Sequence, residues 1–483
     1  MSTDEVQNKK SFGRDVGKLV TGTVIAQAIG ICLTPIITRI FSPEIYGVAS
    51  VFISLVSIIT IIACMRYEMA IMLPKDDKDA GAVFLLCLII LIGIIILCIP
   101  VLLMFSDFIA DILNSAIIAD YLFLVPIAVF IDGLYLALRY WNTRRKRFGT
   151  QATTQALQSI SGGCLKLGLG VSGFISPLSL IVSGICGNLL GTIILALQAI
   201  RSDFKLIVQS ASWKNIRNQA KIYKKFPLID AGNQWINTLS WQLPVLMLTG
   251  LFSSTAAGLY SLGFQMLQLP MSLVGGSIGQ VFYQRASVAK HNNTLPEVVE
   301  STCSVLILFS ICPFLLLLIA GEDLFSIVFG AAWSDAGLII QILALWTLVW
   351  FVSSPLSHIV GILEIQEFGL KMSMINLITR FFSLLIGGIL GNLYLAILLF
   401  SVSGFFAYGY CLYAWITKPG GSVYTVFKNV WKCCLVWGGV ICIFGMLSTF
   451  ISSPYIISGI AIFLGVGYMI YLFRRNAIVK EYF

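Results

Sequence analysis

The chain has 483 residues, of which 58% are hydrophobic and only 11% charged, and its mean hydropathy is +0.93. A soluble domain carries about 25% charged residues, so most of this surface cannot face water and a water-soluble globular protein is excluded. The net charge of +9 sits in short segments between apolar runs, which membrane topology demands and a nucleic-acid-binding patch does not.

Apolar runs near the roughly 20 residues that cross about 30 Å of hydrocarbon predict an all-α polytopic membrane protein of about fourteen transmembrane helices. In chain order they fall at 19–40, 47–65, 81–104, 121–138, 150–171, 178–200, 228–248, 257–282, 303–320, 337–360, 370–390, 393–415, 433–453 and 455–473. The first is long and lacks a small-residue cleavage site, so no cleavable signal peptide is expected.

Charge orients the bundle. With the N-terminus in the cytoplasm, the inside segments collect Lys9, Lys10, Arg14 and Lys18, then Arg66, Lys75 and Lys78, then Arg139 and the run Arg144, Arg145, Lys146, Arg147. Further on they collect Arg201 through Lys225, Arg285, Lys290, Lys371, Lys418, Lys428, Lys432, Arg474, Arg475 and Lys480, and the outside keeps only Arg39. Both termini are therefore expected in the cytoplasm.

Two outside turns resemble one another. Phe41-Ser42 precedes Gly47 and Ser50 after the first span, and Phe252-Ser253 precedes Gly258 and Ser261 after the seventh. Spans one to six and seven to twelve then read as two parallel copies, a transporter architecture with the substrate between the halves. The expected organisation is a cytoplasmic N-terminus (1–18), an N-lobe (19–200), a cytoplasmic interfacial linker (201–227), a C-lobe (228–415), a second interfacial linker (416–432), two appended spans (433–473) and a cytoplasmic tail (474–483). Both linkers interleave aromatic and basic residues. Trp213, Ile216, Ala220 and Tyr223 share one helical face, and Tyr424, Phe427 and Trp431 repeat the pattern beside Lys428 and Lys432. Such helices either lie in the lipid interface against anionic headgroups or pack on the bundle.

Polar residues within the spans form stripes at steps of three and four, which place each set on one helix face. Examples are Thr23, Gln27, Gly30, Thr34 and Thr38; Gln151, Gln155, Gln158, Gly162 and Lys166; Asp230, Gln234, Asn237 and Trp241; and Ser373, Asn376, Arg380 and Ser383. The fourth span adds Asp132 and Arg139, and Asp132 and Asp230 read as lying nearer the cytoplasmic ends. Single Ser, Thr or Gln residues serve helix packing, but Lys166 and Arg380 are poor packing residues, and a charge at a helix centre costs roughly 2.5–3.5 kcal/mol on insertion scales. The stripes describe a hydrated, mildly cationic cavity suited to a polar, anionic substrate. No G-x-x-x-x-G-K-[ST] loop is present, so a gradient rather than a nucleotide would drive transport. The twelve cysteines lie mostly within spans, without a C-x-x-C pair, and His291 and His358 lack metal-ligand spacing.

The Phe41–Gly47 turn, the segment Arg66-Tyr67-Glu68-Met69-Ala70-Ile71-Met72-Leu73-Pro74, Arg147-Phe148-Gly149 and Phe329-Gly330-Ala331-Ala332-Trp333 resemble the Wzx-type polysaccharide flippases. These belong to the multidrug/oligosaccharidyl-lipid/polysaccharide exporter superfamily, and the resemblance covers nearly the whole chain. It implies a MATE-like two-lobed bundle in the bacterial inner membrane that moves undecaprenyl-pyrophosphate-linked oligosaccharides between leaflets by ion-coupled alternating access. It also implies no enzymatic activity, no cofactor beyond a coupling H⁺ or Na⁺, and, besides membrane lipids, a polysaccharide polymerase and a chain-length regulator as partners, with no nucleic acid. On that footing Arg66 and Arg139 would capture pyrophosphate, Lys166 and Arg380 would hold the charge deeper, and Gln27, Gln155, Gln234, Asn237 and Asn376 would contact sugars. Glu68, Asp132 or Asp230 would carry the coupling ion or pair with the cations. The competing readings are a MATE-like drug antiporter, in which cavity acids should outnumber bases, and a membrane polymerase or ligase, which needs a larger outside loop.

Overall fold

A computed structural model describes residues 26–451 and 453–475. The expectations for Lys9, Lys10, Arg14, Lys18, Thr23 and Lys480 lie outside the described residues. The described chain is helical throughout, without a strand. Its helices are α1 (Ala26–Ile40), α2 (Pro43–Ala63), α3 (Tyr67–Ala70), α4 (Asp77–Met104), α5 (Ser106–Ile112), α6 (Ala116–Ala119), α7 (Val125–Arg144), α8 (Phe148–Val171), α9 (Pro177–Gln209) and α10 (Trp213–Ile222). They continue with α11 (Ala231–Leu251), α12 (Ser254–Pro270), α13 (Gly276–Asn292), α14 (Leu295–Phe329), α15 (Ser334–Leu356), α16 (Ile359–Ile362), α17 (Gln366–Ile389), α18 (Leu393–Thr417), α19 (Val423–Ser448) and α20 (Pro454–Arg475). Wide π turns at Phe226–Asp230 and Met271–Gly275 lead into α11 and α13.

Among the described residues every expected span overlaps helix, the eighth (257–282) running from α12 through the π turn into α13 and the tenth (337–360) from α15 into α16, so the chain is a multi-pass, all-α membrane protein. By length and apolarity alone, ten helical segments among the described residues qualify to cross a membrane. α8 and α11 do not, because Gln151, Gln155 and Gln158 on one, and Asn233, Gln234 and Asn237 on the other, lower their hydropathy. The polar stripes that mark these helices as interesting are what remove them from a purely apolar count.

The backbone supports the internal repeat. Ser42 accepts a hydrogen bond from the Ile45 N–H at the start of α2, and Ser253 accepts one from the Ala256 N–H at the start of α12. The recurring Phe-Ser is thus a helix N-cap in both copies. α8 and α17 are each 24 residues long. Left-handed residues bracket both: Lys146 (φ 56°) and Gly173 (φ 88°) around α8, Glu364 (φ 59°) and Gly391 (φ 64°) around α17. Register between these two turns places Arg380 where the first copy has Gly162.

By contacts the chain forms two compact units, Met1–Ala257 and Gly258–Phe483. In the first, α8 and α9 meet through glycine: a methyl group on Gly187 would lie 3.0 Å from the Gln158 carbonyl oxygen, and one on Gly162 would lie 3.3 Å from that of Ser183. Close backbone approach of this kind replaces the hydrophobic drive that lipid cannot supply. α11 packs along α2, where the Ser54 hydroxyl donates to Gln242 Oε1 at 3.1 Å. In the second unit, α14 packs on α15 and carries α19 and α20 on its flank, with the Tyr468 hydroxyl donating to the Leu308 carbonyl.

The two interleaved linkers take different forms. α10 packs on α4 through buried Ile216 and Gln219, and Asn215 donates to Asp79 at 3.0 Å, while Trp213, Lys214, Arg217 and Lys221 stay exposed. The second linker is not a separate element. Residues 423–432 are the opening turns of α19, continuous with the span; no Pro or Gly separates Tyr424, Phe427 and Trp431 from the apolar run that follows.

Candidate functional site

Three polar assemblies occupy the first unit. The first forms where α2 ends. Met65 (φ 50°) and Arg66 (φ 63°) are consecutive left-handed residues, a conformation that costs a non-glycine residue roughly 1–3 kcal/mol and persists only where the surroundings enforce it. The turn delivers the short helix α3, whose Tyr67, Glu68 and Ala70 are buried. Arg66 Nε donates to Asp230 Oδ2 at 2.8 Å, Nη1 reaches Glu68 Oε1 at 3.4 Å, and Nη2 lies 2.7 Å from Met69 Sδ. The Tyr67 hydroxyl donates to the Ala220 carbonyl at 3.0 Å, tying α3 to α10.

Glu68 is fully buried, and its Oε2 has no hydrogen-bond partner. Burial pushes its carboxyl up from 4.5 to about 7; the Arg66 guanidinium pulls against that shift and the Asp230 carboxylate adds to it. The folded value lies above the ordinary one, so the folded state holds the proton more tightly than the unfolded chain. Stability therefore falls as pH rises through the window from 4.5 to about 7, and the loss is complete above it.

The second assembly pairs the three arginines of the run that the sequence shows as free positive charge. Arg144 donates to Asp77 Oδ1 and to the carbonyls of Ile71 and Pro74 at 2.9–3.1 Å, pinning the loop before α4. Arg145 spans Asp77 (2.7 Å) and Asp203, whose Oδ1 it reaches through two nitrogens (2.9 and 3.0 Å). Asp203 Oδ2 takes Arg147 at 2.8 Å and the Trp141 indole N–H at 3.0 Å. Sequence reasoning missed Asp77 and Asp203 as partners because they lie 56 (203 − 147) to 68 residues from the arginines they bind.

The third assembly runs along α7, α8 and α9. Asp132, Tyr135 and Arg139 share one face of α7. Asn188 donates to Asp132 Oδ1 at 2.8 Å, the Tyr135 hydroxyl lies beside Gln158, and Gln151 donates to the Arg139 carbonyl at 3.1 Å. Arg139 is exposed and forms no ion pair among the described residues. Asp132 is corrected from its expected place near a helix end: it lies twelve residues before Arg144, about 18 Å along the helix. Lys166 is half-buried five residues from the last residue of α8, about 8 Å from that end. Because α7 and α8 are antiparallel, Arg139 and Lys166 mark opposite ends of this polar face. Gln27 on α1, Gln155 on α8, and Gln234 and Asn237 on α11 are all half-buried.

In the second unit, Arg380 is 2% exposed at the middle of α17. Nη2 donates to the Tyr408 hydroxyl at 3.1 Å, and the guanidinium lies 5.7 Å from the Trp346 and Phe400 ring centres and 6.0 Å from that of Tyr408. One turn before it, the buried Asn376 Oδ1 has no hydrogen-bond partner. The aromatic enclosure was not legible in sequence, since Trp346 and Tyr408 belong to other helices. Of the twelve residues singled out by sequence, the structure brings together Arg66, Glu68 and Asp230. It keeps Lys166 and Arg139 apart and encloses Arg380. No group of three or more His, Cys, Asp or Glu suited to a metal occurs among the described residues.

A multi-pass helical bundle with ionisable groups held inside its spans has the build of a membrane transporter. Residues 36–338 match the profile of the family described as polysaccharide biosynthesis protein, and the chain belongs to that family. Among solved structures, the chain is similar to the lipid II flippase MurJ in an inward closed conformation: TM-score 0.73, 16% identity, covering 95% of this chain and 99% of that one. A multidrug resistance MATE family transporter of the MOP superfamily, inward-facing, follows at TM-score 0.65 and 12% identity, covering 82% and 98%. A point mutant of the Vibrio cholerae MATE transporter VcmN matches at 0.52 and 16%, covering 86% and 98%. At these identities the likeness is one of fold. No curated protein matches the chain.

Proposed function

We propose that this protein is a flippase that carries an undecaprenyl-pyrophosphate-linked oligosaccharide across the bacterial inner membrane by ion-coupled alternating access, for surface polysaccharide such as O-antigen or capsule. Family membership and a MurJ-like fold support a lipid-linked cargo. The observation that carries the anionic head group is Arg380, a cation 2% exposed at the centre of a span. A charge there is costly and is kept for a function, and guanidinium is the side chain best matched to phosphate oxygens.

In this reading both termini are cytoplasmic. Exposed Arg139 meets the pyrophosphate at the cytoplasmic side, Arg66 supports that mouth, and Lys166 and Arg380 receive the charge further along. Gln27, Gln155, Gln234, Asn237 and Asn376 contact sugars, and Glu68, Asp132 and Asp230 are the coupling acids. The lobes are those of the sequence repeat, 19–200 and 228–415, with 433–473 appended, and a polymerase and chain-length regulator act on the delivered units. MATE-like drug export is the competing reading, favoured by the shared fold. In a deletion strain, lipid-linked repeat units should accumulate with their sugars on the cytoplasmic leaflet and drug susceptibility should stay at the parental level. Unchanged lipid-linked pools with increased drug sensitivity would replace the flippase by the antiporter.

A further inference from the structure

Glu68 and Asp230 compete for one guanidinium. Arg66 gives Asp230 its short contact, 2.8 Å, and gives Glu68 only a long one, 3.4 Å. The two acids differ in surroundings: the Asp230 side chain is 45% exposed and that of Glu68 1%. Water can solvate Asp230 if Arg66 leaves. Glu68 is closed off from bulk solvent, and its Oε2 is without a partner. A charged carboxylate so placed needs a fully engaged cation, because an uncompensated buried charge is far costlier than an exposed one. The arrangement seen, with the guanidinium committed mainly to the exposed acid, is the one a neutral Glu68 permits.

Among the described residues, Arg66 is the cation that acts on Glu68, and no second salt bridge reaches it. From α2 comes the Cys64 thiol and from α4 the Cys87 thiol, which interacts electrostatically with Glu68. Arg144 of α7 is held by Asp77 and the Ile71 and Pro74 carbonyls. The π turn contributes Asp230, a like charge.

Arg66 and Asp230 are also mechanically placed. Arg66 follows the last turn of α2 in a left-handed conformation, and Asp230 closes the π turn that launches α11. Left-handed pairs and single π turns are local distortions that recur where segments change conformation.

We propose that Glu68 is a proton-binding site that latches the start of α11. With Glu68 protonated, Arg66 holds Asp230 and fixes the π turn and the first turn of α11 against the end of α2. On loss of the proton to water, the carboxylate draws Arg66 onto itself and releases Asp230. This deepens the transport reading, on which it rests, by naming the proton as the coupling ion and Glu68 as the acid that binds it; Asp230 is its competitor and Arg66 the moving cation.

The test is hydrogen exchange of the purified full chain, without substrate, comparing protection factors of amides 226–236 corrected for intrinsic rates. In the wild type, protection there should fall about tenfold between about pH 5.5 and about pH 8.5. Glu68→Gln should keep the low-pH protection at both, and Asp230→Asn should show the lower protection at both. Equal wild-type protection at the two pH values, or an unaltered pH response in Glu68→Gln, would overturn the proposal. So would a Glu68→Gln protein less stable than wild type at the higher pH, since its neutral amide mimics the protonated state. Because no glycan is present, an intact pH response in a protein that fails to flip lipid-linked sugars would count against the cargo alone.

Discussion

Asp203→Ala should be the most destabilising single substitution in the first unit, lowering stability by about 3–5 kcal/mol. The Asp203 side chain is 3% exposed and accepts from Arg145, Arg147 and Trp141. Its removal leaves Arg145 with Asp77 alone, Arg147 without its carboxylate and a fully buried indole N–H without an acceptor. Removing one partner of a buried ion pair is costly because the other charge stays desolvated, which exceeds the net worth of the intact pair. Asp203→Asn retains an acceptor for Trp141 but loses the charge, so its loss should be intermediate. Thermal unfolding in detergent checks the order wild type, Asn, Ala. An alanine variant that melts with the wild type would show the cluster to be ornamental.

Arg380 should behave in the opposite way. Arg380→Met should reduce transport at least tenfold while leaving the melting temperature unchanged or raised. The rings of Trp346, Phe400 and Tyr408 make the enclosure largely aromatic. Methionine gives up the hydrogen bond to Tyr408 but removes the desolvation cost of a cation at a span centre, and the two effects oppose one another in the melting temperature. In the first copy the equivalent residue is Gly162, which serves close packing of α8 on α9. The second copy thus gives up that packing device for a cation. Lys at this position should recover part of the transport, because it restores charge but not the planar fork that binds phosphate in two places. Flipping by Arg380→Met at the wild-type rate, at equal abundance, would remove Arg380 from the cargo path.

The contrast between these two sites shows what a sequence carries. Apolar runs, their order, the Phe-Ser repeat and the pairing of Asp132 with Arg139 on one span follow from local periodicity, and all of them persist in the fold. Charge pairing does not follow from periodicity. Arg144, Arg145 and Arg147 look like a bare cationic run until Asp77 and Asp203 are brought to them from the starts and ends of other helices. The apolar run stops at Leu138 and so places Asp132 close to a helix end, whereas α7 continues to Arg144 as a polar helix. Likewise α19 begins ten residues before its apolar run, so its aromatic and basic residues looked like a separate linker. The Arg66–Asp230 contact joins residues 164 apart, and only the fold makes Glu68 and Asp230 rivals for one cation.

Reconstitution separates the flipping of a lipid-linked glycan from the export of a drug. Purified protein in proteoliposomes carrying a lectin-detectable undecaprenyl-pyrophosphate oligosaccharide should move inner-leaflet glycans to the outer leaflet, so that nearly all become accessible to an impermeant lectin. Arg380→Met vesicles should stall near the half that faces outward from the start. Wild-type vesicles that also stay at half, while exporting a lipophilic cation against a proton gradient, would contradict the account and make this chain a drug antiporter on the same fold.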